Sequence, residues 1–193
     1  MKLSPEDYII NYRKCLNTFI PKNITFDTFY MGRLGENKIF LPLKKSFNQS
    51  ECKWLTIGIG GTCNAEKMFK QKYPNSAIFG IEPSKDQYAN FMDFGTVIPF
   101  AVGAVNGSFN ITVREGKKYK IIQMPVIALS DLLDKFLQTR IIHFMTIDIE
   151  GFEFNILQEL LQNRILHNKG IVFCQASFSY FVIPFKYFTI AAD

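Results

Sequence analysis

Metal-ligating side chains are scarce in this chain. Its 193 residues hold two histidines, His143 and His167, and four cysteines, Cys15, Cys52, Cys63 and Cys174, with no C-x-x-C pair among them. That inventory argues against a zinc site. Widely spaced single cysteines read as buried thiols of a reducing compartment rather than as a disulfide frame. No apolar run is long enough to span a membrane, and the start, Met1-Lys2-Leu3-Ser4-Pro5-Glu6-Asp7, has no apolar leader region. As written the chain is therefore expected to be cytoplasmic, with no membrane partner. Charge is also sparse, at 20% of residues, and the net +5 is scattered from Lys2 to Lys186 with acids between. Nucleic-acid binders concentrate such charge on one stripe, so no nucleic-acid partner is expected.

Apolar residues are plentiful, at 48%, with 20 phenylalanines. A chain of this length and composition buries a sizeable core as one globular unit. Residues 1–50 read as an N-terminal helix and an irregular lead-in, and 51–193 as the main domain. Ser4-Pro5-Glu6-Asp7 is a helix start with an N-cap serine, proline at the first helical position and acids at the positive end of the dipole. Tyr8, Ile9, Tyr12, Leu16 and Phe19 give that helix one apolar face before Pro21 stops it. Residues 26–43 are broken by Gly32, Gly35 and Pro42 and fit a lead-in or a small hairpin. Four glycosylation sequons begin at Asn23, Asn48, Asn106 and Asn110. They bear on function only in the secretory lumen, the alternative location if a leader is missing from this chain.

Strand and helix signals then alternate. Trp54–Ile59 reads as a buried strand, 62–73 as a helix with Ala65, Met68 and Phe69 inward, and Ala77–Ile81 as a second strand. Ser84-x-x-Gln87 opens a helix over 85–92, and 97–102 is a third strand. Two antiparallel segments, 108–113 and 119–127, flank a charged loop. Ser130 caps a short helix over 131–137, and Ile141–Ile147 is a central strand. A helix over 152–162 and a strand over 171–174 complete the pattern. Such alternation predicts an α/β fold with a doubly wound parallel sheet. In such sheets ligands bind outside the carboxyl ends of the strands.

The residues with chemistry gather at that edge. Gly58-Ile59-Gly60-Gly61 lies between a strand and a helix, where bare backbone lets a ligand approach amide groups. Cys63 stands where a dinucleotide fingerprint needs its third glycine, and no Tyr-x-x-x-Lys pair accompanies a core strand, so a nicotinamide-dependent reductase is disfavoured. Glu82 ends the second strand about 20 residues past the glycines, the place from which an acid accepts ribose hydroxyls. Asp148, Glu150 and Glu153 follow the central strand. Three roles are open to them: orienting or deprotonating a substrate hydroxyl, holding a divalent cation through Asp148 and Glu150, or capping the next helix. His143, inside the strand, reads as a hydrogen-bonded core residue.

The run Phe144-Met145-Thr146-Ile147-Asp148-Ile149-Glu150-Gly151-Phe152-Glu153-Phe154 resembles the signature of the FkbM-type methyltransferases. Segments Trp54–Gly61, Phe79–Pro83, Ala101–Gly103 and Leu129–Leu133 agree with it in order. The resemblance implies a Rossmann-like sheet and S-adenosylmethionine (SAM) as methyl donor. By that resemblance Gly58, Gly60 and Gly61 cradle the methionine part and Glu82 the ribose, while Ala101 and Val102 are either adenine contacts or plain core. Asp148 and Glu150 are the candidate catalytic pair, serving the acceptor or a metal, and the expected acceptor is an oxygen, or less readily a nitrogen, of a small molecule or glycan-like compound. Two departures stand out. Thr56 occupies a position where many relatives carry an acid, and a hydroxyl there can hydrogen-bond the donor but not pair with its ammonium. After Gln175 the tail is crowded with Phe178, Tyr180, Phe181, Phe185, Tyr187 and Phe188. The expectation is a sheet incomplete at its C-terminal strands, an open edge suited to self-association, and a rival reading as a non-catalytic, methyltransferase-like interaction module.

Overall fold

The computed structural model describes residues 25–32, 36–116, 118–149, 151–161 and 163–178. The helix expected over 4–19, Glu150 and the tail beyond 178 lie outside the described residues.

The lead-in forms an antiparallel pair, β1 (Asp27–Tyr30) and β2 (Asn37–Phe40). β3 (Lys53–Ile57), α1 (Asn64–Lys72), β4 (Ala77–Ile81) and β5 (Thr96–Ile98) follow. Next come β6 (Ala101–Gly103), β7 (Gly107–Glu115), β8 (Lys118–Ala128) and α2 (Leu129–Leu132). β9 (Ile141–Ile142), β10 (Phe144–Ile147), α3 (Glu153–Gln158), α4 (Ile165–Asn168), β11 (Val172–Phe173) and β12 (Ala176–Phe178) complete the described chain.

Five parallel strands make the central sheet, in the order β12-β10-β3-β4-β5. The chain winds outward from β3 to β5, then returns to the other side of β3 for β10 and β12. The order therefore reverses between β3 and β10, which are in register from Phe144 opposite Trp54 to Ile147 opposite Ile57. β9 and β11 prolong β10 and β12 at their N-terminal ends, with His143 N–H donating to the Lys53 carbonyl and Cys174 N–H to that of Ile142. A second sheet, β6-β8-β7, carries one long hairpin arm.

Alternation along the inner strands sorts the core into two layers. Leu55, Ile57, Ile81, Met145 and Ile147 face one layer, closed by Leu129, Leu132, Leu133 and Ile156. Trp54, Ile78 and Phe144 face the other, closed by Phe69 of α1 and by Phe29 and Phe40 of the hairpin. In that second layer the Trp54–Phe69 ring centroids lie 4.5 Å apart and those of Phe40 and Phe144 5.1 Å, both edge-on. The edge-on geometry is the favoured quadrupole arrangement, adding about 0.5–1.5 kcal/mol per pair beyond burial.

Several elements differ from the sequence reading. The strand over 97–102 splits between two sheets at Pro99, which lacks the N–H a continuous ladder requires. The helix over 85–92 is two short turns, Lys85–Gln87 and Phe91–Asp93, separated by Ala89 at φ 50°. Ser84 makes no side-chain cap; its N–H goes to Glu82 instead. Ser130 is buried inside α2 rather than capping it, and the helix widens into a π-type turn over Leu133–Leu137 that Gln138 ends in the left-handed region. The helix over 152–162 stops at Gln158.

Candidate functional site

The site starts with Gly58. Its φ is +87°, and a Cβ built there would lie 2.1 Å from the Asp148 carbonyl oxygen. Only glycine accepts both the conformation and the approach. The contact pins the ends of β3 and β10 together at the point where the sheet order reverses: Asp148 N–H donates to the Ile57 carbonyl at 2.9 Å, while Gly58 N–H donates to the Ile81 carbonyl of β4. Gly60 and Gly61 also have positive φ, +65° and +79°, which bends the turn away from the sheet toward α1.

Glu82 holds this turn from the next strand. Its carboxylate accepts from Gly60 N–H at 3.3 Å and Ser84 N–H at 3.0 Å. It is 7% exposed, and burial pushes its pKa above the usual carboxylate range against the pull of those N–H groups. Gly61 N–H donates to the Gln87 carbonyl, which explains why residues 85–92 break into short turns: their backbone is committed to the glycine turn instead of to a helix.

A cleft open to solvent lies over these groups. Gly58, Gly60, Glu82, Ala101, Val102, Asp148, Ile149 and Phe152 line it. From the hairpin arm Arg114 and Tyr119 line it as well. A smaller cleft lies on the other side of Gly58 and Asp148, lined by Lys38, Thr146 and Ser177 among others.

Of the residues singled out in the sequence, Gly58, Gly60, Glu82, Ala101, Val102 and Asp148 meet in the main cleft. Gly61 sits beside it, with Gln87 3.0 Å from where its Cβ would be. Thr56 does not line it. Its hydroxyl donates to Glu66 at 2.7 Å, within a buried network in which Lys38 pairs with Glu66 and reaches Thr146 at 3.2 Å. Glu153 accepts from the N–H groups of Ile149 and Gly151, both at 2.7 Å, and so shapes the loop after β10. His143 Nδ1 accepts from Lys53 N–H, and burial lowers its pKa, as fits a neutral structural ring. Among the described residues no three His, Cys, Asp or Glu side chains group as a metal site. Cys52 and Cys63 are buried, with the Cys52 thiol pushed up to about 12, and no described helix is long and apolar enough to cross a membrane.

Sequence reasoning missed Lys38, Glu66, Arg114 and Tyr119. Lys38 and Glu66 carried no signal, because each looks like an ordinary surface charge until the hairpin folds onto α1. Arg114 lay in a loop read only as charged.

A family model described as the methyltransferase FkbM domain matches residues 20–186. No curated protein and no solved structure matches the chain.

Proposed function

Because this chain belongs to the FkbM methyltransferase domain family, we propose that the main cleft binds SAM and that Asp148 orients an acceptor hydroxyl for O-methylation. The observation that carries this reading is the Gly58–Asp148 contact at the strand-order reversal, with a buried Glu82 carboxylate one strand away. The residues present fit the donor. The glycine turn offers bare backbone that any side chain would obstruct, Glu82 is an acceptor suited to two ribose hydroxyls, and Ala101 and Val102 give the cleft an apolar lining for adenine.

When bound, SAM supplies a methyl group already activated by its sulfonium charge. The protein's task is alignment and exclusion of water. In this reading Asp148, which follows β10 and lines both clefts, accepts the acceptor's hydroxyl proton as the methyl transfers. The acceptor class in this reading is a small molecule or a glycan-like compound.

Calorimetric titration with SAM and S-adenosylhomocysteine tests the proposal. Micromolar binding is expected, weakened about tenfold or more by Glu82→Ala, the cost of losing a buried hydrogen bond to a charged group. Absence of heat from folded protein would overturn it and favour a binding module without catalysis.

A further inference from the structure

The hairpin arm of β7 and β8 has no role in the reading so far, and it is fastened in an unusual way. Arg114 and Tyr119 stand directly opposite each other across the strand pair, so both side chains leave the same face of the ribbon, and both line the main cleft. Arg114 Nη1 donates to the Gly60 carbonyl at 3.2 Å and its Nε to that of Gly116 at 3.1 Å, which fixes the guanidinium against the glycine turn. At the arm's tip Gly116 N–H donates to Asp86 at 2.9 Å, and Asp86 also accepts from Gln87 at 3.0 Å. Three segments that frame the cleft, the glycine turn, the stretch after β4 and the arm, are thus tied into one rim.

Resting on the donor site proposed above, we infer that Arg114 and Tyr119 form the roof of the nucleoside part of that site, a planar cation and an aromatic ring that hold a purine against the Ala101–Val102 wall. The Ala101–Val102 wall itself is apolar, while Gln87 and Thr112 are polar side chains elsewhere in the lining. Against an apolar wall a base is held by its face, and a tyrosine ring or a guanidinium plane provides that contact. Glu82 on the floor then selects for a ribose, so the ligand class is a purine nucleoside carrying a free vicinal diol. Tyr119 is 54% exposed, so its ring is accessible from solvent. Arg114 thereby has two tasks, bracing the glycine turn and covering the base.

The experiment uses the full chain and two probes, S-adenosylhomocysteine and adenosine, titrated calorimetrically. Arg114→Ala and Tyr119→Ala are each expected to weaken both probes by a similar factor of about tenfold, the scale of one lost stacking partner. Tyr119→Phe, which keeps the ring, retains wild-type affinity, and Arg114→Lys, which keeps charge but not the plane, falls between. Ile121→Ala, on the same arm at a side chain 75% exposed and outside the cleft lining, leaves both affinities unchanged. Unfolding midpoints identify any variant that fails to fold, and the Tyr119→Phe and Arg114→Lys pair then carries the comparison. Unchanged affinities in the alanine variants, or a loss seen with S-adenosylhomocysteine but not adenosine, overturn the inference while leaving the donor site standing. Failure of wild-type protein to bind either probe removes both.

Discussion

Replacing Gly58 with alanine isolates the contact on which the site is built. Two costs add. The first is conformational, since φ +87° lies where an L side chain crowds its own backbone, at about 1–2 kcal/mol. The second is steric. The new Cβ would sit 2.1 Å from the Asp148 carbonyl oxygen, 3.1 Å from its carbon and 3.2 Å from Ile149 Cγ2, so backbone rather than a flexible side chain must move. That displacement has to pass through β3 and β10, whose side chains from Trp54 to Ile57 and from Phe144 to Ile147 are all buried, and overpacking of this kind costs about 1–3 kcal/mol more. The expected total is roughly 2–5 kcal/mol. Gly170→Ala serves as the control: φ there is +65° with nothing within 4 Å of the added methyl, so only the conformational cost of about 1–2 kcal/mol applies. Urea denaturation of both variants measures the difference, read as a shift of midpoint at unchanged slope. Equal losses in the two would refute the idea that a close approach of backbones, rather than the turn conformation alone, requires glycine at 58. Gly58→Ala should also weaken S-adenosylhomocysteine more than its stability loss explains, because Asp148 shifts with the clash.

Glu66→Ala should cost about 3–5 kcal/mol, because it leaves the Lys38 ammonium, whose side chain is 10% exposed, buried beside Thr146 without its carboxylate. The double change Lys38→Met with Glu66→Leu should be far less harmful than the sum of the single ones, and additive losses in a urea double-mutant cycle would show that the pair is not coupled. Glu82 gives a pH signature with opposite signs for stability and binding. Its folded-state pKa is raised, so its contribution to stability is full below the ordinary carboxylate pKa and is lost as pH rises through the raised one. The ionised carboxylate is the stronger acceptor for ribose hydroxyls, so S-adenosylhomocysteine affinity should increase with pH across that same window. Glu82→Gln should flatten both profiles, and a variant whose affinity still rises with pH would assign the titration to another group.

The strands of the parallel sheet were legible because inner strands buried on both faces read as unbroken apolar runs: Ala77–Ile81 stands where the pattern placed it, and Trp54–Ile57 and Phe144–Ile147 lie inside the segments expected. The glycine turn and the carboxylates at strand ends were legible for a related reason, since positive φ and a strand-to-helix handover each leave a local signature. Elements without their own periodicity were not. Residues 85–92 have a helix's capping pattern, yet the Gln87 carbonyl is taken by Gly61 N–H, a bond formed only once β3 and β4 are side by side. Likewise the strand over 97–102 reads as one run, and Pro99 divides it only because its two halves have different sheets to join.

Sequence by itself thus determined the alternation of strands and helices, the place of the glycines and the identity of Glu82 and Asp148 as acids at strand ends, because local sterics and hydrophobic period fix those. Tertiary structure decided everything that depends on pairing across long separations. It brought the Gly58 and Asp148 backbones together across 90 residues of chain, turned Thr56 into a buried network with Lys38 and Glu66, and laid Arg114 over Gly60. Such contacts carry no periodic signal, since each joins side chains or backbone groups that are unremarkable until folding sets them side by side.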